Sequence, residues 1–177
     1  MRIVAGTFRG RQLRSPAWDG LRPTSDRLRE TLFNILGPGV RGARVLDGYA
    51  GTGALGIEAL SRGAAAVTFV ERDPRAVKLI EANLAGLGAS GAIIRAGFAD
   101  AAARLEGQVF DLIIVDPPYA DTAAAEALDG AAPLAGADTR IVVEHAVRHA
   151  PPAEHAGFRL TRTVKAGDSA ISFYTRC

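Results

Sequence analysis

The amino-acid sequence predicts an α/β fold, in which helices cover a mostly parallel central sheet that carries an antiparallel strand at its carboxyl-terminal end. From residue 43 onward, short apolar segments alternate with segments of helical periodicity, as in chains that form parallel sheets. The segment 110–115 is nearly all apolar, which is typical of a central strand buried on both faces. The chain closes with two strand-like segments, 158–164 and 170–175, which indicate a terminal hairpin. At 177 residues, the chain is long enough for one such domain and a short appendage.

The first 42 residues are expected to form a small extension ahead of the main domain at 43–177. Short apolar pieces around two glycines in 1–16 predict a β-hairpin or an extended arm. Thr24 or Ser25 can cap a helix, because both precede a run of apolar residues at helical spacing. The Gly-Pro-Gly segment at 37–39 is expected to end that helix.

Within the main domain, the period of the apolar residues distinguishes strands from helices. The predicted strands are 44–46, 67–70, 92–94, 110–115 and 141–144. The predicted helices are 54–62, 74–87 and 123–134, the last with a break near 130–133. This order places the ends of several parallel strands at one edge of the sheet, where open α/β sheets bind their ligands.

Composition excludes several classes of protein. Cys177 is the sole cysteine, so neither a disulfide framework nor a cysteine-based zinc site can form within one chain. The first thirty residues lack a signal-type apolar core, and no run approaches about eighteen apolar residues. We therefore expect a cytoplasmic protein without membrane association.

His145 and His149 are four residues apart, but no third ligand clusters with them, so we expect surface histidines and no metal site.

The net charge of +2 conceals an asymmetry along the chain. Residues 1–44 hold nine arginines against three acidic residues and carry a charge of +6, whereas the remaining residues carry −4. A general preference for arginine over lysine would explain the residue type, but it would not explain where the positive charge lies. A basic end on a mildly acidic body indicates a polyanionic partner approached from one side.

A glycine-rich segment follows the first strand of the main domain. Gly51, Gly53 and Gly56 match the pattern G-x-G-x-x-G between a strand and a helix, where glycines allow a tight turn and close approach of a ligand. Glu71 lies twenty residues after Gly51, at the end of the second strand, where a carboxylate can accept hydrogen bonds from a ribose. This spacing predicts a ligand that contains a nucleoside.

Asp47 narrows the identity of that nucleoside. It precedes the first glycine by four residues, and a carboxylate there is unfavourable for a pyrophosphate. The same carboxylate suits a ligand with positive charge, such as S-adenosylmethionine, which carries a sulfonium and an amine. Asp100, after the third strand, is placed to accept a hydrogen bond from an adenine amino group, although a helix N-cap explains it equally well.

The segment Asp116-Pro117-Pro118-Tyr119 directly follows the apolar fourth strand. The two prolines make the backbone rigid and leave carbonyl groups free to accept hydrogen bonds. The tyrosine ring can stack on a base, while Asp116 and the Pro117 carbonyl accept from the two N–H groups of an exocyclic amine. Those hydrogen bonds would draw the nitrogen lone pair out of conjugation and direct it at a methyl group. The segment therefore predicts methylation of a base amine.

These residues resemble a known family. Asp116 to Tyr119 is the amino-methyltransferase motif of class I S-adenosyl-L-methionine-dependent enzymes. Several further segments look like the bacterial 16S rRNA guanine-N2-methyltransferase family (RsmD type), and the likeness covers nearly the whole chain. These segments are 2–6, 10–11, LRPTSDRLRETLFN at 21–34 and AGTGALGIEALSRG at 50–63.

The resemblance implies a Rossmann-like sandwich, a basic RNA-contacting extension at 1–42 and a cofactor-binding catalytic domain at 43–177. The implied cofactor-binding residues are Asp47, Gly48, Tyr49, Gly51, Gly53, Glu71, Arg72 and Asp100, and the implied catalytic residues are Asp116, Pro117, Pro118 and Tyr119. The expected RNA-binding residues are Arg9, Arg11, Arg14, Arg22, Arg27 and Arg29. No metal is implied. The region 120–160 resembles the family only loosely.

The implied activity is methylation of one guanine N2 amine in 16S rRNA, free or within an assembling small ribosomal subunit, by a monomeric enzyme. Two alternatives remain open from the residues themselves. A DNA adenine-N6 or cytosine-N4 methyltransferase would use the same four residues, although 177 residues leave little room for a target-recognition region. A non-catalytic RNA-binding assembly factor would retain the cofactor pocket without turnover.

Overall fold

A single eight-stranded sheet organises the chain in a computed structural model that describes residues 1–18, 25–120 and 122–177. Its strands are β1 Arg44–Gly48, β2 Ala66–Glu71, β3 Ala92–Arg95, β4 Phe110–Val115, β5 Ala135–Ala146, β6 Glu154–His155, β7 Phe158–Ala166 and β8 Ser169–Arg176. The α-helices are α1 Asp26–Leu36, α2 Ala54–Ser61, α3 Pro74–Leu87, α4 Phe98–Arg104 and α5 Ala123–Ala131. Short 3-10 turns follow α1 and α5.

The sheet order is β3-β2-β1-β4-β5-β8-β7-β6. Strands β1 to β5 are parallel to their neighbours, whereas β8 runs antiparallel to β5, and β7 and β6 continue the antiparallel part. The predicted fold class is therefore confirmed, including the terminal hairpin. Three features were not predicted: the helix α4, the two-residue strand β6, and the early start of β5, which shifts register against β4 near Phe110.

The core lies on both faces of the parallel strands, because alternate side chains of a strand point to opposite faces. Val45 and Leu112 belong to the apolar cluster on one face, and Leu46 and Ile113 belong to the cluster on the other. All four are essentially inaccessible to solvent, so β1 and β4 are central strands. None of the described helices is long and apolar enough to cross a membrane.

The amino-terminal extension packs onto this body. Its first residues form a hairpin-like arm that closes with a bridge between Arg2 and Gln12, and its buried Ile3 and Leu13 belong to the same apolar cluster as Val45. Ser25 caps α1 by accepting a hydrogen bond from the Leu28 N–H. The helix ends at Gly37, which has a φ of +58°, as the Gly-Pro-Gly segment predicts. The alternative cap, Thr24, lies outside the described residues.

Candidate active site

The carboxyl ends of four neighbouring strands form one edge of the sheet. Gly48 of β1 pairs with Val70 of β2 and with Val115 of β4, and Val115 pairs with Val143 of β5. Because these strands are parallel, the segments that follow them emerge at the same edge. The glycine-rich segment, Glu71, the Asp-Pro-Pro-Tyr segment and the end of β5 are thereby brought together, although they are far apart in the chain.

The glycine-rich segment makes a tight turn between β1 and α2. Gly51 and Gly53 have φ values of +55° and +77°, a region that is unfavourable for side chains with a Cβ. Gly53 is the N-cap residue of α2. Gly56 has another role: a Cβ there would lie 2.3 Å from the Phe69 ring, so this glycine lets α2 approach β2 closely. The turn therefore has the form that the spacing predicts.

Glu71 holds this turn against the end of β2. One oxygen of its carboxylate accepts a hydrogen bond from the Gly51 N–H at 2.8 Å, and the other accepts from the Asp73 N–H at 2.8 Å. Each carboxylate oxygen has a second lone pair, so the group retains the capacity to accept from ribose hydroxyls. Arg72, the next residue, is exposed at the same strand end.

Asp47 lies at the end of β1, and its side chain is buried. Its side chain is 1% exposed, and Oδ2 accepts a hydrogen bond from the Gly56 N–H at 2.8 Å. Burial raises the pKa of Asp47 to about 8; the Gly56 hydrogen bond opposes this shift, and the charge of Glu71 adds to it. The carboxyl group is then mostly neutral at pH 7 and supports the start of α2. The role of Asp47 beside a cationic ligand stays a prediction.

The remaining predicted cofactor residues border an aromatic pair. Tyr49 has a φ of +60°, and its ring lies 5.2 Å from that of Phe98, measured between centroids. Gly48 provides space for this pair, because a Cβ there would lie 2.6 Å from the Phe98 ring. Asp100 is exposed in the first turn of α4, but the N-cap of that helix is Gly97, so the N-cap interpretation of Asp100 is wrong.

The Asp-Pro-Pro-Tyr segment opens into a pocket at the end of β4. Pro117 is buried, and the Tyr119 ring is partly exposed. The Tyr119 hydroxyl lies 3.0 Å from Oγ of Ser169 and donates to Oε1 of Glu144 at 3.4 Å. The pocket is lined by Pro117, Pro118, Tyr119, Ala120, Ala123, Ala124, Glu144, His145, Ala146 and His149. Rigid prolines, an aromatic ring and the Glu144 carboxylate thus line one concave space.

Sequence reasoning missed the residues that β5 contributes to this pocket. Glu144 and His145 continue the apolar run 141–143, so a polar pair after a buried strand was the available signal. His145 is 6% exposed, which makes the expectation of a surface histidine wrong. Its Nδ1 lies 2.9 Å from the Ala146 carbonyl oxygen, which can only accept, so in the neutral ring Nδ1 carries the hydrogen and Nε2 accepts from Ser172 at 2.9 Å.

Four of the six predicted RNA-binding arginines are exposed: Arg9, Arg11, Arg14 and Arg27. Arg22 lies outside the described residues. Arg29 is 0% exposed; it donates to Asp26 at 2.8 Å and to the backbone carbonyl of Arg2, and its Nε lies 3.5 Å from Glu58. Arg29 therefore cannot contact RNA, and its predicted role is wrong. It instead ties the amino-terminal arm to α1 and α2.

Across residues 1–18, 25–120 and 122–177, no three or more histidine, cysteine or acidic residues group in a way that could hold a metal ion. The base-amine chemistry predicted for the pocket depends on hydrogen-bond acceptors and an aromatic ring. Both are present in the Asp-Pro-Pro-Tyr segment.

Fold and site together define the class of protein, which is a methyltransferase with a Rossmann-like sandwich. Ribosomal protein L11 methylase from Lactobacillus delbrueckii subsp. bulgaricus has a similar structure, with a TM-score of 0.70 over 84% of this chain and 79% of that chain. At 20% identity, that likeness shows the fold alone.

Similarity to other chains shows the family. The family model described as Conserved hypothetical protein 95 matches residues 1–175. Ribosomal RNA small subunit methyltransferase D from Escherichia coli strain K12 is 40% identical over 99% of this chain and 90% of its own length. The solved structure of the Escherichia coli protein yhhF has a TM-score of 0.85 at 39% identity, and the match covers 99% of this chain and 97% of that chain. The chain therefore belongs to the ribosomal RNA small subunit methyltransferase D family.

Proposed function

We propose that this protein transfers a methyl group from S-adenosylmethionine to the N2 amine of one guanine in 16S rRNA. The observation that carries the proposal is the pocket at the end of β4, which Pro117, Pro118 and Tyr119 line, next to Asp116, whose N–H donates to the Gly48 carbonyl at 3.4 Å. Family membership supports the substrate class, because the curated relative is named for methylation of small-subunit rRNA. The proposal places the enzyme in the cytoplasm as a monomer that acts on free rRNA or on an assembling subunit.

The residues at the sheet edge fit S-adenosylmethionine. Gly51 and Gly53 keep the turn free of side chains, and the Glu71 carboxylate at the end of β2 can accept from the ribose. Asp100 is exposed and available for the adenine amino group, and Arg72 is exposed next to Glu71. When bound, this cofactor supplies an electrophilic methyl group on a sulfonium. Asp47 contributes indirectly, because it supports the start of α2.

The Asp-Pro-Pro-Tyr segment orients the base. A guanine amine is a weak nucleophile, since its lone pair is conjugated with the ring. Asp116 and the Pro117 carbonyl would accept its two N–H groups and hold the nitrogen lone pair towards the methyl group. Tyr119 would stack on the extruded base, a contact of roughly 1–3 kcal/mol per base. Catalysis then rests on orientation and electrostatics, and the methylated nitrogen loses its proton readily.

The arginines of the amino-terminal extension would bind the phosphates of the RNA backbone. Arg9, Arg11, Arg14 and Arg27 are exposed, and the arm that carries the first three is held on α2 and α3 by hydrogen bonds. Arg11 itself also donates to the Gly86 carbonyl at 2.7 Å. Contacts between these arginines and RNA phosphates would position the nucleic acid without reading its sequence.

Labelled S-adenosylmethionine tests the proposal. The full chain is incubated with 16S rRNA, with small ribosomal subunits lacking the modification, or with DNA, and the labelled nucleosides are identified by mass spectrometry. We expect N2-methylguanosine in RNA and its loss with Asp116→Ala, which should still bind the cofactor. Label in DNA as N6-methyladenine or N4-methylcytosine would support the DNA methyltransferase alternative. No label in any substrate would support the non-catalytic alternative.

Tyr119 variants test the stacking role. Tyr119→Phe retains the ring and should remain substantially active, whereas Tyr119→Ala should lose most activity. The hydroxyl contacts Ser169 and Glu144, so it contributes to positioning the ring. If the two variants lost methyl-transfer activity equally, the Tyr119 hydroxyl and not its ring would be required for activity.

A further inference from the structure

Glu144 is a buried carboxylate in the wall of the base pocket. It lies near the end of β5, its side chain is 7% exposed, and it lines the same space as Pro117 and Tyr119. Burial of an acidic side chain is unfavourable unless it has partners. Oε1 of Glu144 accepts from the Tyr119 hydroxyl at 3.4 Å, and a carboxylate offers about four acceptor positions.

Strand register places this carboxylate beside the residue expected to hold the target amine. Val115 of β4 pairs with Val143 of β5 in parallel register. Continuing the register by one residue aligns Asp116 with Glu144 at the ends of adjacent strands, about 4.8 Å apart. Paired residues of parallel strands project to the same face of a sheet. Two acidic residues therefore follow paired positions of adjacent strands, and Glu144 lines the pocket that Pro117 and Tyr119 also line.

The edge of guanine next to its exocyclic amine fits two adjacent acceptors. Its N1–H is a donor beside the N2 amine, so guanine presents donors in a row. Adenine and cytosine differ, because the ring nitrogen beside their amine is an acceptor. A carboxylate opposite that ring nitrogen would meet a lone pair instead of a hydrogen. The position that attracts guanine therefore disfavours the other two amine-bearing bases.

We propose that Glu144 accepts the guanine N1–H and so selects guanine over other bases that carry an exocyclic amine. This inference rests on the proposed function and adds a specificity residue to it. Tyr119 then has two tasks, since its ring stacks on the base while its hydroxyl orients the Glu144 carboxylate. The Glu144 carboxylate makes no bond to the methyl group and takes no proton from the amine.

Replacing the target guanine by 2-aminopurine tests this assignment. 2-Aminopurine keeps the 2-amine but has an unprotonated N1 and no O6, so the contact assigned to Glu144 is lost together with any contact to O6, and the Glu144→Gln comparison separates the two. After the methylated guanine has been mapped with the wild-type enzyme, 16S rRNA carrying 2-aminopurine at that position is assembled by ligation. Rates of methyl transfer to both RNAs are measured at subsaturating RNA for the wild type, for Glu144→Gln, and for Glu106→Gln. Glu106 is exposed after α4, so its variant is a matched charge control.

The wild type should prefer guanine by about 10- to 100-fold, the effect of one hydrogen bond to a charged group. Glu144→Gln should act more slowly on guanine and faster on 2-aminopurine, because the glutamine amide can donate to the unprotonated N1. A structural defect would lower both rates together. Glu106→Gln should keep the wild-type preference.

Several outcomes would overturn the inference. Equal wild-type rates on guanine and 2-aminopurine would overturn it without any variant. An unchanged preference for guanine in a folded Glu144→Gln enzyme with normal cofactor affinity would also overturn it. Both results would leave the proposed function intact. A wild-type enzyme that transfers no methyl group to guanine would instead refute the proposed function itself, and this inference with it.

Discussion

Glu58→Gln should destabilise the protein by about 3–5 kcal/mol, because it removes the buried negative charge beside Arg29. Both side chains are fully buried. The Glu58 carboxylate accepts hydrogen bonds from the backbone N–H groups of Val4 at 2.9 Å and Ala5 at 3.0 Å, and from Nε of Arg62 at 2.8 Å. One side chain thus joins the amino-terminal arm, α1 and α2.

The size of this loss in stability depends on how many of the Glu58 hydrogen bonds a glutamine can still accept. Its single carbonyl oxygen can serve part of this donor set, while its NH₂ group would face N–H groups that also donate. Breaking a buried ion pair costs roughly 3–5 kcal/mol, since a charge is left without compensation. Arg29 keeps Asp26 at 2.8 Å, and Asp26 is about half exposed, so we expect a value near the lower limit. A domain of this size has a total stability of about 5–15 kcal/mol, so the variant should still fold.

Urea unfolding followed by circular dichroism measures this effect through linear extrapolation. The set comprises the wild type, Glu58→Gln, Arg29→Met, the double variant, and Glu81→Gln on the exposed side of α3 as the control. The double variant should lose less than the two single losses combined, by roughly 1–3 kcal/mol, because each single variant leaves a partner charge behind. Additive losses, or a Glu58→Gln effect below about 1 kcal/mol, would refute the reasoning.

Three further predictions concern the site and the extension. The buried carboxyl of Asp47 has its pKa raised from 3.8 to about 8, so the folded state holds a proton that the unfolded state releases. The free energy of unfolding should therefore fall as the pH rises from about 4 towards 8, with a slope approaching 1.4 kcal/mol per pH unit. Asp47→Asn should abolish this slope. If the free energies of unfolding measured with urea changed with pH in parallel for the two proteins, the prediction would be contradicted. Glu71→Ala should weaken S-adenosylmethionine binding by about 1.5–3 kcal/mol in titration calorimetry, whereas unchanged affinity in a folded variant would remove Glu71 from the cofactor site. Replacing Arg9, Arg11 and Arg14 by alanine should reduce the slope of log affinity for RNA against log salt by about 2–3 units and leave cofactor affinity intact. An unchanged slope would favour a general arginine preference as the reason for these residues.

Local patterns were sufficient to predict most of the fold. The apolar run 110–115 indicated a central strand, and β4 is buried on both faces and pairs with β1 and β5. The glycine spacing predicted the turn at Gly51 and Gly53, since a positive φ is a local requirement of the backbone. The helix α4 was missed because its seven residues are mostly alanine and carry little periodic signal.

The sequence by itself determined the order of strands and helices other than α4 and β6, the tight turn after β1 and the chemistry available in Asp116 to Tyr119. Each of these depends on residues that are neighbours in the chain. Burial and long-range pairing were decided only by the tertiary structure. The basic composition of residues 1–44 predicts Arg29 as an RNA-binding residue, but Arg29 is buried against Glu58, which is distant in sequence. Glu144 lines the pocket beside Tyr119 because the register of β4 and β5 aligns residues from separate segments. Such contacts arise when strands pair in space, so the periodicity of a single segment carries no record of them.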